Sequence, residues 1–317
     1  MAARAGDGPA EAEEDQLPAG SMPMMAKVGI WTGQLDYVPA SEVRAASAQV
    51  EDLGYRALWT GEAVGREVFG AAHLLLGATE QLVVATGIAN IWARDALAMV
   101  AAEATLAEAY PGRFILGIGA SHAPLVAQRG QDYRRPLSHM GTYLEHMEQA
   151  RSLYRAVPPA SPAPLVLAAL GPRMLDLARD GADGAHTYFV PPPHTEAARS
   201  RLGPAKLLVP EQAAVLETDP TRAREVARRH TAAYLRLPNY RANLARLGYG
   251  EDDLEVPGSD RLVDDIVAWG GEEVIVDRVR AHLDAGADHV ALQVLSPEPR
   301  GLPLAQWRAL APALLSL

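Results

Sequence analysis

One phrase recurs three times along the chain: Asp52-Leu53-Gly54-Tyr55-Arg56-Ala57-Leu58, Arg179-Asp180-Gly181-Ala182-Asp183-Gly184-Ala185 and Asp284-Ala285-Gly286-Ala287-Asp288-His289-Val290. In each, a helical run ends on a glycine suited to the left-handed C′ position, and a strand-like run follows at once. Strand-like runs lie at Lys27–Trp31, Ala57–Thr60, Leu82–Ile88, Phe114–Ile118, Leu165–Leu170, Ala185–Val190, Gln212–Leu216 and Val290–Leu295, with helical runs between most of them. Eight strands alternating with helices predict an α/β fold, a (β/α)8 TIM barrel rather than an open sheet. The 317 residues are enough for one barrel, which typically takes about 250.

Two segments exceed a minimal barrel. Pro158-Pro159-Ala160-Ser161-Pro162-Ala163-Pro164 reads as a stiff connector before strand five. Residues 238–271 read as an insertion after strand seven and its helix, with helical patterns around Asn243–Leu247 and Leu262–Trp269, placed over or beside the barrel mouth or at a subunit contact. The barrel domain is expected to span 26–317, closed by a helix over Leu304–Leu315. Residues 1–25 have almost nothing to bury and predict a disordered tail. That tail sets one arginine against Asp7, Glu11, Glu13, Glu14 and Asp15, so of the net charge of −10 it holds −4 and leaves −6 on the body. Such a balance argues against nucleic-acid or anionic-membrane partners. The absence of cysteine excludes disulfides, thiolate nucleophiles and thiolate metal sites. With no apolar run near the ~20 residues of a membrane span and no signal-peptide pattern, a cytoplasmic protein is expected.

Barrel chemistry gathers at the carboxyl ends of the strands. Strand four, Phe114–Ile118, is uncharged as a strand buried on both faces should be, and it runs through Gly119 and Ala120 into Ser121-His122. Gly117 and Gly119 suggest close approach of something to the backbone. Strand two ends in Thr60-Gly61-Glu62, strand three in Thr86-Gly87-Ile88-Ala89-Asn90-Ile91-Trp92, and strand eight carries Gln293. Each has a plainer alternative: Glu62 a loop carboxylate, Asn90 and Trp92 turn and core residues, Arg66-Glu67 a surface pair or helix start, Asp95 an N-cap. Strand five opens into Gly171-Pro172-Arg173, where proline at the first helical position and free N–H groups make an anion site or simply a strand-to-helix turn. Gly117-x-Gly119 does not complete a dinucleotide motif, and no histidine or carboxylate cluster has metal-ligand spacing, so no metal is expected.

Lys27-Val28-Gly29-Ile30-Trp31, Leu53-Gly54-Tyr55-Arg56-Ala57-Leu58-Trp59, Ala85-Thr86-Gly87-Ile88, Pro111-Gly112-Arg113-Phe114-Ile115-Leu116-Gly117-Ile118-Gly119 and Gly171-Pro172 occur in order. Together they resemble the luciferase-like monooxygenase superfamily, and within it the coenzyme F420-dependent oxidoreductases of actinobacteria. The resemblance implies a homodimer, with F420 or alternatively FMN in the barrel mouth, acting on a small-molecule substrate. It implies a bulge in strand three with a non-proline cis peptide at Gly87-Ile88 against the cofactor ring, with Asn90 and Ser121 beside it. Gly171, Pro172 and Arg173 would meet the cofactor phosphate, with Arg66 and Arg94 as further cationic candidates. Trp31, Trp92 and Gln293 would wall the substrate pocket. This chain departs from the family pattern: Ala63 follows Glu62 where a histidine is usual, and His122 stands where a glutamate is usual. Hydride transfer at the cofactor's C5 needs a proton carrier titrating near neutrality, so His122 is the candidate acid/base and Glu62 its orienting partner. The alternatives are a reduced-flavin monooxygenase using O2 and a barrel that binds its ligand without turnover.

Overall fold

Along every strand, side chains alternate between the barrel interior and the helices outside it. Ala57, Trp59, Val83, Ala85, Ile115, Val166, Leu207, Val209 and Ala291 fill the interior. The residues between them, such as Leu58, Val84, Leu116, Leu167, Leu208 and Leu292, pack outward in the larger core. The structure, a computed structural model, describes residues 25–317.

The first half of the chain forms β1 (Val28–Trp31), α1 (Ala40–Asp52), β2 (Ala57–Thr60), α2 (Val68–Leu76), β3 (Val83–Thr86), β4 (Ala89–Asn90), α3 (Ala96–Ala109) and β5 (Phe114–Gly119). Next come α4 (Ala123–Gln128), α5 (Pro136–Leu153), β6 (Leu165–Ala168), α6 (Pro172–Gly181), β7 (Gly184–Thr187), α7 (Pro192–Leu202) and β8 (Leu207–Leu216). The rest is α8 (Pro220–Tyr234), α9 (Pro238–Arg246), α10 (Glu251–Leu254), α11 (Asp260–Ile266), β9 (Val267–Gly270), α12 (Glu272–Asp284), β10 (Val290–Val294) and α13 (Leu304–Leu314). The barrel runs β1-β2-β3-β5-β6-β7-β8-β10 and closes β10 onto β1, all pairs parallel. This is the expected TIM barrel. No helix among the described residues is long and apolar enough to cross a membrane.

Local chemistry sets most boundaries. Gly54 and Gly286 follow α1 and α12 with φ of +95° and +96°, the left-handed turn expected there. Gly181 instead remains the last residue of α6, and Ala182 takes an extended φ of −146°. Asp95 caps α3 by accepting the Ala98 N–H at 2.8 Å, and Glu67 caps α2 through the N–H groups of Phe69 and Gly70.

Two expectations are revised. Strand seven starts at Leu207, not Gln212, because Pro210 and Glu211 belong to it, with Glu211 turned into the barrel. The helix expected over Leu262–Trp269 stops at Ile266, and Val267–Gly270 becomes β9. Its partner is the upper half of β8, Ala213–Leu216, whose backbone groups lie beyond the Pro210 level where β7 ends. The tail lies outside the described residues except Met25, which packs against the interior cluster.

Candidate functional site

The third barrel strand breaks between β3 and β4 at Gly87-Ile88, whose peptide bond is cis. Trp31 Nε1–H donates to the Gly87 carbonyl at 3.1 Å, and the Glu62 N–H donates to the Ile88 carbonyl at 3.0 Å. The room left by the strand-four glycines is taken by this bulge rather than by a ligand: a Cβ on Gly117 would fall 1.9 Å from the Thr86 oxygen, and one on Gly119 2.6 Å from Ile88 Cγ1.

Glu62 does not face His122. Arg94 grips its carboxylate as a fork, at 2.8 Å to Oε2 and 2.5 Å to Oε1, and the Asn90 N–H donates to Oε2 at 2.8 Å. Only 4% of the Glu62 side chain is exposed, so the pair is a buried strut between the strand-two loop and the strand-three bulge. Asn90 is fully buried; its Oδ1 accepts the Trp92 N–H while its Nδ2 has no partner.

His122 stands at the N-terminus of α4, after Ser121 with a left-handed φ of +56°. Its half-buried ring lies 5.5 Å from that of Tyr240, and burial lowers its pKa below the ordinary histidine value. Burial thus favours the neutral ring over the protonated one. Tyr240 comes from α9, in the insertion, and meets Tyr188, Phe189 and Tyr234 in an aromatic cluster. The cluster reaches the barrel through two hydroxyl contacts: Tyr234 donates to Tyr188 at 2.8 Å, and Tyr188 to Gln293 Oε1 at 2.6 Å.

Glu211 lies beside this cluster. Oε2 accepts the N–H of Phe189, which holds a φ of +59°, and Oε1 has no partner. With no cation among its partners, burial pushes its pKa up to about 8, leaving the acid neutral at pH 7. Its sequence signal was a single charge inside an apolar run, which read as a strand boundary.

Beside the mouth, α6, α7 and α9 border an open cleft of about 720 Å³, lined in part by Pro172, His194, Asn243 and Arg246. Gly171 is the N-cap of α6 and offers no side-chain cap; Pro172 has no N–H, and the Met174 and Leu175 N–H groups donate back to the Gly171 carbonyl at 3.0 and 3.1 Å, which leaves the Arg173 N–H as the donor of the first turn. Arg246 reaches within 3.4 Å of where a Gly171 Cβ would sit, and donates to Asn243 Oδ1 at 3.2 Å. Asn243 Nδ2 and His194 Nδ1 are buried and unpartnered. His194 Nε2 is 2.8 Å from the Leu170 carbonyl, so Nε2 carries the proton and Nδ1 presents a lone pair.

The expected site residues thus divide. Gly87, Ile88, Asn90, Ser121 and His122 gather at the ends of β3, β4 and β5, with Trp31 and Gln293 on the neighbouring strand ends. Gly171 and Pro172 open α6 at the cleft, whereas Arg173 is exposed and absent from its lining. Arg66 caps nothing in the cleft; it bonds the Leu35 and Val38 carbonyls. Trp92 is stacked on His139 at 3.9 Å with its indole N–H on the Ala120 carbonyl, so it buttresses the loop before His122. Asn243, Arg246 and Tyr240 escaped the sequence reading because they lie about 70 to 120 residues from the strand ends they meet.

Comparison with known proteins agrees with this fold. The Mycobacterium tuberculosis (strain ATCC 25618 / H37Rv) protein named "Putative coenzyme F420-dependent oxidoreductase Rv3520c" is 26% identical over 195 residues, 52% of this chain and 56% of that protein. The chain therefore spans about half the length of that relative. Among solved structures, an F420-dependent secondary alcohol dehydrogenase in complex with an F420-acetone adduct superposes with a TM-score of 0.72 at 16% identity, covering 92% of this chain and 99% of that one. The FMN-bound oxygenating constituent of 3,6-diketocamphane monooxygenase from Pseudomonas putida gives 0.67 at 12%, covering 90% and 96%. At such identities these two likenesses speak for the fold. The family model for luciferase-like monooxygenases matches residues 22–289, and the chain belongs to that family.

Proposed function

We propose that the protein is a coenzyme F420-dependent oxidoreductase that moves a hydride between the deazaflavin C5 and a carbon of a small organic substrate. The observation that carries this reading is the cleft at the start of α6, where the unpartnered Asn243 Nδ2 and the Arg246 guanidinium lie beside the helix N-terminus and its Arg173 N–H. These donors fit a phosphorylated cofactor. A phosphate oxygen would take the Asn243 and Arg246 donors, and a hydroxyl of the cofactor's side chain the lone pair of His194 Nδ1. The ring would lie over the Gly87-Ile88 bulge with Asn90 beside it. Likeness to the M. tuberculosis protein favours F420 over FMN.

When bound, the deazaflavin supplies or accepts the hydride. The protein's part is the proton. His122 is neutral because burial lowers its pKa. Its unprotonated ring nitrogen accepts the proton of a substrate hydroxyl as hydride leaves the adjacent carbon, and returns it in the reverse direction. Glu62 acts at one remove: paired with Arg94 and bonded to the Asn90 N–H, it holds the bulge in place.

Fluorescence titration with F420 and FMN in parallel tests the cofactor. Tight, saturable F420 binding with weak FMN binding is expected. Preference for FMN would move the reading to a reduced-flavin monooxygenase, and binding of neither to a barrel without redox chemistry. His122→Ala should lower turnover about 100-fold with F420 affinity nearly unchanged; lost affinity at normal turnover refutes the proton role.

A further inference from the structure

Tyr240, Asn243 and Arg246 follow one another at intervals of three on α9, so they share a face of the helix. That face spans two places. Its first residue covers the His122 ring at 5.5 Å and packs on Tyr188 and Phe189. Its last two line the cleft at the start of α6. Three residues of helix rise about 4.5 Å, so the two ends are rigidly linked. At the cleft end the polar groups do not reach α6: Arg246 bonds within its own helix, to Asn243, and Asn243 Nδ2 has no partner. The α6 side is fixed, because β6 is a barrel strand and leads through Gly171 straight into that helix.

We propose that Tyr240 is a positioning residue for His122, and that an oxyanion bridging α6 to Asn243 and Arg246 sets its position through α9. An anion in the cleft would give Asn243 Nδ2 and the Arg173 N–H of α6 a common partner and tie the insertion to the barrel one turn from Tyr240. Occupancy of the phosphate site then holds the aromatic cover in place over the proton acceptor. This rests on the reading of His122 and the cleft given above. The other groups around His122 are already engaged: the Tyr133 hydroxyl donates to the Ser121 carbonyl at 3.3 Å, and Arg129 donates to the Ala63 carbonyl at 2.8 Å. Glu62 is held by Arg94.

The test uses the full chain without cofactor and inorganic phosphate as the probe. Diethylpyrocarbonate modification of His122 is followed by peptide mass spectrometry at fixed pH, and phosphate binding by calorimetry. With phosphate at ten times its Kd, linkage permits up to about tenfold protection of His122, and protection approaching that is expected. Arg246→Ala should lose both binding and protection. Tyr240→Ala should still bind phosphate, react faster at every phosphate concentration and show no protection, whereas Tyr240→Phe should behave as wild type. That pair separates cover by the ring from the direct field of the anion, which persists in both. Phosphate binding without protection in the wild type overturns the coupling and leaves the anion site standing. Failure of the wild type to bind phosphate overturns the coupling and the cleft reading together.

Discussion

Glu211→Gln should make the protein more stable as pH rises, by an amount the structure allows to be worked out. The Glu211 carboxyl is 2% exposed, has no cationic partner, and its Oε1 is unbonded. Burial moves its pKa from 4.5 to about 8 in the folded chain. Because the folded pKa lies above the unfolded one, the native state keeps a proton that the unfolded state releases between about pH 4.5 and 8. Its contribution is therefore fully present below pH 4.5 and is lost progressively up to about pH 8. At about 1.4 kcal/mol per pKa unit, the full loss is about 5 kcal/mol. Glutamine keeps the shape, accepts the Phe189 N–H as before, and does not ionise. Urea unfolding of wild type and variant at half-unit steps from pH 4.5 to 8.5 isolates the effect, since every other titrating group cancels in the difference. The difference should start near zero and grow in favour of the variant to several kcal/mol. Parallel curves would refute both the burial of an unpaired acid and its neutrality at pH 7.

Other consequences follow from the same packing. Gly117→Ala would drive a Cβ to within 1.9 Å of the Thr86 oxygen, a backbone atom of the adjoining strand, so the variant should fail to accumulate as folded protein, read by solubility and circular dichroism. Arg94→Met removes the fork on the buried Glu62 carboxylate, leaving Arg129 at 3.9 Å as its cation, and should cost about 3 kcal/mol in urea unfolding. Adding Glu62→Gln should recover much of that loss. Burial lowers the pKa of His186, His230 and His289 to about 4 and that of His282 to about 3. These groups are neutral when folded, so their stabilisation is present above about pH 6.5 and lost as pH falls toward 4. Acid unfolding should begin below pH 6.5 and be complete near pH 4, as followed by far-UV circular dichroism; a fold intact at pH 3.5 would contradict it.

The sequence carried the barrel, and the family resemblance the bulge. Strand-to-helix alternation, glycines at the ends of α1 and α12, the caps of α2 and α3, and the uninterrupted apolar strand β5 are local signals, each set by backbone geometry and burial within a few residues. The positions of His122 and Gly171-Pro172 after β5 and β6 were legible for the same reason: the carboxyl end of a buried strand is where a barrel presents polar groups. Partnerships were not legible. Whether Glu62 faces His122 or Arg94 depends on where the loop after β2 meets the bulge of β3, and the 2.5 Å fork to Arg94 settles it across 32 residues of chain. Arg173, adjacent in sequence to the α6 N-terminus, points outward, while Arg246 enters the cleft because the insertion folds back over the barrel. Glu211 looked like the edge of a strand, and only closure of the barrel turned it into a buried acid. Periodicity and end signals determine which elements form and where polar groups can emerge. Charge state and hydrogen-bond partner are decided by distances between segments remote in sequence, and those exist only once the barrel has closed.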